Sequence, residues 1–137
     1  MENKIKAASY VRVSTQAQVQ EGESLATQKE QIQQFIASKG WELVKEYSDE
    51  GLSGAKSESR PGLQQLLKDA KEGMFSNVVF TKLSRFARNA RDYQNISFEL
   101  EKSGVQIVSI KEGLDKSTQT GRLIAGILAL FAEWEHE

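Results

Sequence analysis

A three-layer α/β domain, with a mostly parallel central sheet between helices and a long helix at the C-terminal end, is the fold class the sequence predicts. Three observations lead there. Apolar stretches at residues 7–13, 41–47, 78–80 and 105–110 alternate with helical patterns of 10 to 16 residues, which implies right-handed crossovers between parallel strands. The run Val78-Val79-Phe80 is continuously apolar, as a strand covered on both faces requires. No repeat or linker divides the 137 residues, so residues 1–137 read as one domain, long enough for a core.

In the first strand, alternation sends Ala7, Ser9, Val11 and Val13 to one face and Ala8, Tyr10, Arg12 and Ser14 to the other. One face suits a core. The other carries a phenol, a guanidinium and a hydroxyl in a row, at the strand end where open α/β sheets bind ligands. Residues 16–23 are polar, with Gly22 as breaker, and read as a mobile loop. Ser24 is placed to cap a helix carrying Leu25, Gln28, Ile32, Phe35 and Ile36, and Gly40 to end it.

The second strand spans 41–47, and the Gly- and Ser-rich stretch 49–60 reads as a loop. Pro61 suits the first turn of a helix with Leu63, Leu66, Leu67 and Ala70 inward, ending at Gly73. After 78–80 comes the basic segment 82–91, then a helix over 90–103 with Tyr93, Ile96, Phe98 and Leu100, a stop at Gly104 and a fourth strand at 105–110. Loops after the first and third strands should open on the same sheet edge, bringing Ser14 near Arg85 and Arg88. Residues 111–119 form a polar turn region, and the last helix runs from about residue 118. There Leu123, Ile124, Ile127, Leu128, Leu130, Phe131 and Trp134 exceed the stripe of a surface helix, which predicts a self-association surface.

Composition narrows the function classes. With no Cys, disulfides and thiolate metal sites are excluded and a cytoplasmic location is natural. The nearly apolar run 124–132 is too short for a membrane span. A net charge of −1 is not that of a self-sufficient DNA-binding domain, yet Lys82, Arg85, Arg88 and Arg91 fall in ten residues that contain no acid.

The lone histidine, His136, argues against a Ser-His-Asp triad. The four aspartates, at 49, 69, 92 and 115, are dispersed, which argues against a two-metal site. What remains is a serine among guanidinium groups, a combination suited to a phosphodiester. Arg12, Arg85 and Arg88 can neutralise its non-bridging oxygens and support a pentacoordinate transition state at Ser14. The residues alone leave a second reading open, because arginines at 85, 88 and 91 also have the spacing of a solvated helix face.

Tyr10-x-Arg12-x-Ser14-Thr15 resembles the opening signature of the serine recombinases, the resolvase/invertase family. The resemblance continues in order through Ser24-Leu25-x-x-Gln28, Asp49-x-Gly51-x-Ser53-Gly54 with Arg60-Pro61-x-Leu63, the run Lys82-Leu83-Ser84-Arg85-Phe86-Ala87-Arg88-Asn89, Thr120-Gly121-Arg122-Leu123 and Ala132-Glu133-x-Glu135. The form of the second and third blocks leans toward the large recombinases and integrases of phages and mobile elements. Two positions depart: Ser84 stands where many members carry Asp, and His136 where Arg commonly follows the Glu.

The resemblance implies site-specific DNA recombination, with Ser14 as nucleophile forming a 5′-phosphoserine link, and no metal or other cofactor. It implies phosphate contacts from Arg12, Arg85 and Arg88, a pocket ordered by Tyr10, Gln18 and Gln28 and, from the mobile loop, Ser53 and Arg60, and DNA contacts from Lys82, Arg91 and Glu135. The implied partners are double-stranded DNA and copies of the chain, a homodimer becoming a tetramer through the last helix. The chain would then be a catalytic domain whose last helix is cut at 137, with DNA-recognition domains absent. Rival readings are a flavodoxin-like binding domain and a degenerate recombinase domain acting only in assembly.

Overall fold

A computed structural model of the chain describes residues 4–13, 24–50, 60–87, 90–111 and 113, without the side chains at 13, 50 and 84. Four strands, β1 (Lys6–Val13), β2 (Glu42–Glu50), β3 (Asn77–Phe80) and β4 (Gln106–Ser109), form one sheet in the order β2-β1-β3-β4. Every pairing is parallel. The helices are α1 (Leu25–Lys39), α2 (Pro61–Lys71), a single turn α3 (Leu83–Phe86) and α4 (Ala90–Lys102).

The caps follow the sequence. Ser24 Oγ accepts the Thr27 N–H at 3.1 Å, satisfying one of the donors a helix start leaves open. Gly40 closes α1 in the left-handed region at φ 75°, and Pro61 occupies the first turn of α2, where a missing N–H costs nothing.

Three layers result. Ile32 and Ile36 of α1 pack with Ala7, Val11, Val79 and Val108 on one face of the sheet. Leu63, Leu66 and Ala70 of α2 and Tyr93, Ile96 and Leu100 of α4 pack with Ala8, Tyr10, Tyr47, Val78 and Phe80 on the other. The Tyr10 face of β1 is therefore core as well, with Tyr10 fully buried, because a central strand in a three-layer domain has no solvated side. Phe98, by contrast, points outward and is 62% exposed, since it lies two positions from the inward Ile96 and so on another side of α4.

An irregularity in β2 decides where its end residues point. Lys6 and Ala7 pair with Glu42 and Leu43, but Ala8 pairs with Lys45, so Val44 is one residue too many on β2. Leu43 consequently packs on the α1 face while Tyr47, four residues on, packs on the opposite one. The shifted phase also sets Tyr10 beside Tyr47 and Arg12 beside Asp49. The strand continues to Glu50, so Asp49, expected at the start of a loop, is a buried strand residue.

The expected loop at 16–23, residues 51–59 of the one expected at 49–60, and the helix from 118 lie outside the described residues. Among the described residues no helix is long and apolar enough to cross a membrane.

Candidate active site

The strand order fixes where a site belongs. From β1 the chain moves to one side of the sheet for β2 and then crosses to the other for β3, so the crossovers diverge above the carboxyl ends of β1 and β3. Open α/β sheets bind ligands in such a crevice. Arg12 stands at the end of β1, and Arg85 lies in α3, just beyond β3. Arg12 Nε donates to the Arg85 carbonyl at 3.4 Å, so the end of β1 meets the segment that follows β3, while Ser14 and Arg88, expected to meet there, lie outside the described residues.

Gln28 fixes the Arg12 peptide from the α1 side. Its Oε1 accepts the Arg12 N–H at 3.4 Å and its Nε2 donates to the Arg12 carbonyl at 3.3 Å. The amide is fully buried and serves both polar groups of a peptide that has left the sheet ladder on this side. It holds the backbone two residues before Ser14.

On the other face a charged network holds α3. Arg60, 2% exposed, donates through Nη1 to Asp92 Oδ2 at 2.8 Å, through Nε and Nη2 to the Tyr10 hydroxyl at 3.4 and 3.3 Å, and through Nη2 to the Phe86 carbonyl. The Tyr10 hydroxyl in turn donates to Asp49 Oδ2 at 2.6 Å. Asp49 also accepts the Gly62 N–H at 2.7 Å and the Leu63 N–H at 3.0 Å, the open donors of the first turn of α2. Gly62 is required there, because a Cβ would collide with the Ser48 carbonyl oxygen. Arg60 itself, at φ 39° and ψ 68°, is the only non-glycine in the left-handed region among the described residues. That conformation costs about 1–2 kcal/mol and persists only where surrounding contacts outweigh it.

Phe86 anchors the turn that carries Arg85. Its ring stacks on Phe80 with centroids 4.2 Å apart and meets Tyr10 and Tyr93 edge-on at 6.1 and 6.3 Å. Arg85 is only 5% exposed, which rules out the solvated helix face for it. Arg91, on α4, is exposed, and Lys82, before α3, is half-buried.

The electrostatics follow from this crowding. Burial, and then the neighbouring charges of Arg60 and Arg85, push the Arg12 guanidinium below its ordinary pKa, and burial does the same to Arg85. Both stay protonated at neutral pH, since a guanidinium starts so high. Close-set, poorly hydrated cations of this kind favour an anion with several oxygens, such as a phosphodiester.

Of the residues singled out from sequence, Tyr10, Arg12, Gln28, Arg60 and Arg85 come together here. Arg60 does so as the buried residue capping α2, not as part of a mobile loop. Ser14, Gln18, Ser53, Arg88 and Glu135 lie outside the described residues. Sequence reasoning assigned no role to Asp49, Phe86 or Asp92. The first two stand inside recognised blocks, whereas nothing local marks Asp92.

The family model described as "Resolvase, N terminal domain" matches residues 7–137. The chain belongs to the resolvase family. Transposon Tn552 DNA-invertase BinR of Staphylococcus aureus is 38% identical over 128 residues, which cover 92% of this chain and 59% of that protein. A putative DNA recombinase of Bacillus subtilis (strain 168) is 33% identical over 93% of this chain but only 25% of its own length. Among solved structures, the N-terminal catalytic domain of TP901-1 integrase superposes with a TM-score of 0.78 at 35% identity, covering 96% of both chains. A resolvase family site-specific recombinase from Streptococcus pneumoniae gives 0.77 at 38% identity, over 97% of this chain and 89% of that one. The resolvase-family catalytic domain thus has relatives of very different length, and this chain spans 59% of the Staphylococcus aureus invertase and 25% of the Bacillus subtilis recombinase.

Proposed function

We propose that this resolvase-family domain cleaves and rejoins DNA strands in site-specific recombination, with Ser14 as the nucleophile. The Ser14 Oγ–phosphorus bond forms as the phosphorus–O3′ bond breaks, leaving a 5′-phosphoserine and a free 3′-hydroxyl that takes up a proton. Attack by that hydroxyl reverses the step and rejoins the strands. The link conserves the phosphodiester bond energy, so neither metal nor nucleotide cofactor is called for.

The observation that carries the reading is the meeting of Arg12 with the Arg85 segment at the β1–β3 crevice, two residues from Ser14. In this reading Arg12, Arg85 and Arg88 surround the phosphate and stabilise charge developing on its oxygens. Gln28 sets the backbone leading to Ser14, and Tyr10 and Arg60 set the segment that leads to Arg88. Gln18 and Ser53 complete the pocket, while Lys82, Arg91 and Glu135 follow the DNA. The partners are double-stranded DNA and further copies of the chain, a dimer that becomes a tetramer through the apolar helix from 118.

The test is Ser14→Ala in the full-length protein that carries this domain. Strand cleavage should vanish while DNA affinity stays near the wild-type value. Protein trapped on cut DNA should be joined to the 5′ end through residue 14, and a link through Thr15, Ser53 or Ser84 overturns the assignment.

A further inference from the structure

Asp92 has no part in the chemistry above, and its place in the first turn of α4 has an ordinary explanation, since an acid there is favoured by the helix dipole. That role asks only for a carboxylate near the helix end. Instead the carboxylate contacts a guanidinium 32 positions earlier in sequence at 2.8 Å, and the side chains are only 15% and 2% exposed.

The surroundings of Arg60 show what this contact decides. Its other acceptors, the Tyr10 hydroxyl and the Phe86 carbonyl, are neutral. Asp49 is committed to the Tyr10 hydroxyl and two backbone amides of α2. Among the described residues Asp92 is therefore the acid bonded directly to Arg60, and its charge also acts on Arg12. Without that charge, the Arg60 guanidinium is left with neutral acceptors beside the like charge of Arg12, and a phosphate in the crevice becomes its strongest available partner.

We propose that Asp92 is a positioning residue for strand cleavage: it holds Arg60 beneath the crevice, and through the Arg60–Phe86 carbonyl bond it fixes the α3 turn that presents Arg85. The inference rests on the recombinase reading for its effect on catalysis, but not for its effect on α3. Asp92 borders a cavity of about 230 Å³ between α2 and α4, lined also by Arg60, Gln64 and Asn95. Water can reach the altered pair from there, so Asp92→Asn should fold.

The experiment is a double-mutant cycle in the full-length protein with Asp92→Asn, Arg60→Gln and both together. Single-turnover cleavage at saturating protein is read beside DNA affinity. Asp92→Asn should cleave about ten- to a hundredfold more slowly, the size of loss that a small misplacement of reacting groups produces. DNA affinity should be unchanged or higher, a split that general destabilisation would not give. In the Arg60→Gln background the second substitution should add no further loss, and additive losses overturn the proposal. Amide hydrogen exchange without DNA gives the second readout. Asp92→Asn should speed exchange over residues 83–87 and leave β1 and β3 unchanged, and wild-type protection over 83–87 overturns the proposal even if the protein never cuts DNA. Cleavage surviving Ser14→Ala would sink the recombinase reading while leaving the exchange result standing.

Discussion

The two faces of the sheet meet at the end of β1 and hold it by different means. On the α1 side the surroundings are aliphatic, and one neutral amide, Gln28, grips both polar groups of the Arg12 peptide. On the α2/α4 side the same strand end is tied through Tyr10 to Asp49, Arg60 and, beyond it, Asp92. A neutral clamp sets one backbone position and is indifferent to nearby charge. A buried ionic network reaches between distant segments, and each member depends on the rest.

The largest break in this contrast should come from Arg60→Ala. It strips the Tyr10 hydroxyl and Phe86 carbonyl of a donor and leaves Asp92 without its 2.8 Å partner, a change of the kind that costs about 3–5 kcal/mol. Urea unfolding measures it, and a loss below about 1 kcal/mol would mean that the network is dispensable to the fold. Gln28→Leu should cost less, about 1–3 kcal/mol for peptide groups left unsatisfied. Its cost should not change with salt, whereas equal, salt-sensitive losses from both variants would erase the distinction between the faces.

The smallest effect is alkaline. All three tyrosines, Tyr10, Tyr47 and Tyr93, lie on the charged face, and burial raises each above the ordinary phenol value of 10.0. Tyr93 is pushed up to about 12, and the other two further still. A phenol kept neutral in the fold contributes stability that is whole below pH 10 and is lost as pH rises through the raised value. Urea midpoints should hold from neutrality to about pH 9 and then fall toward pH 12, with tyrosinate absorbance appearing together with unfolding. Tyrosinate forming at pH 10 in the folded protein would show that this face admits water.

Much of this was legible from the chain alone. Ser24, Gly40 and Pro61 marked helix ends because caps are local, and Val78-Val79-Phe80 read as doubly covered because no polar residue interrupts it. Tyr10, Arg12, Gln28, Arg60 and Arg85 were all singled out, and the structure brings them together around the end of β1. Asp49 was misplaced because β2 runs on to Glu50 through polar residues, and its burial depends on donors from Tyr10 and α2. Asp92 was passed over because its partner is 32 residues away, a separation at which sequence pattern carries no signal. Phe98 looked like core because it is large and apolar, although its helical position turns it to solvent.

The Asp49 carboxylate lies at both ends of one excursion of the chain. The backbone leaves the sheet just after it and comes back at Gly62 and Leu63, whose amides bond to the same two oxygens. The exit and return are thus joined by Asp49 itself, and Arg60, just before the return, is held by its own buried contacts. Closing a longer excursion over fixed ends costs little, about 0.6 kcal/mol for each doubling of length. Provided Arg60 keeps its place, the length of the segment between Glu50 and Arg60 can therefore change at small thermodynamic cost to the sheet.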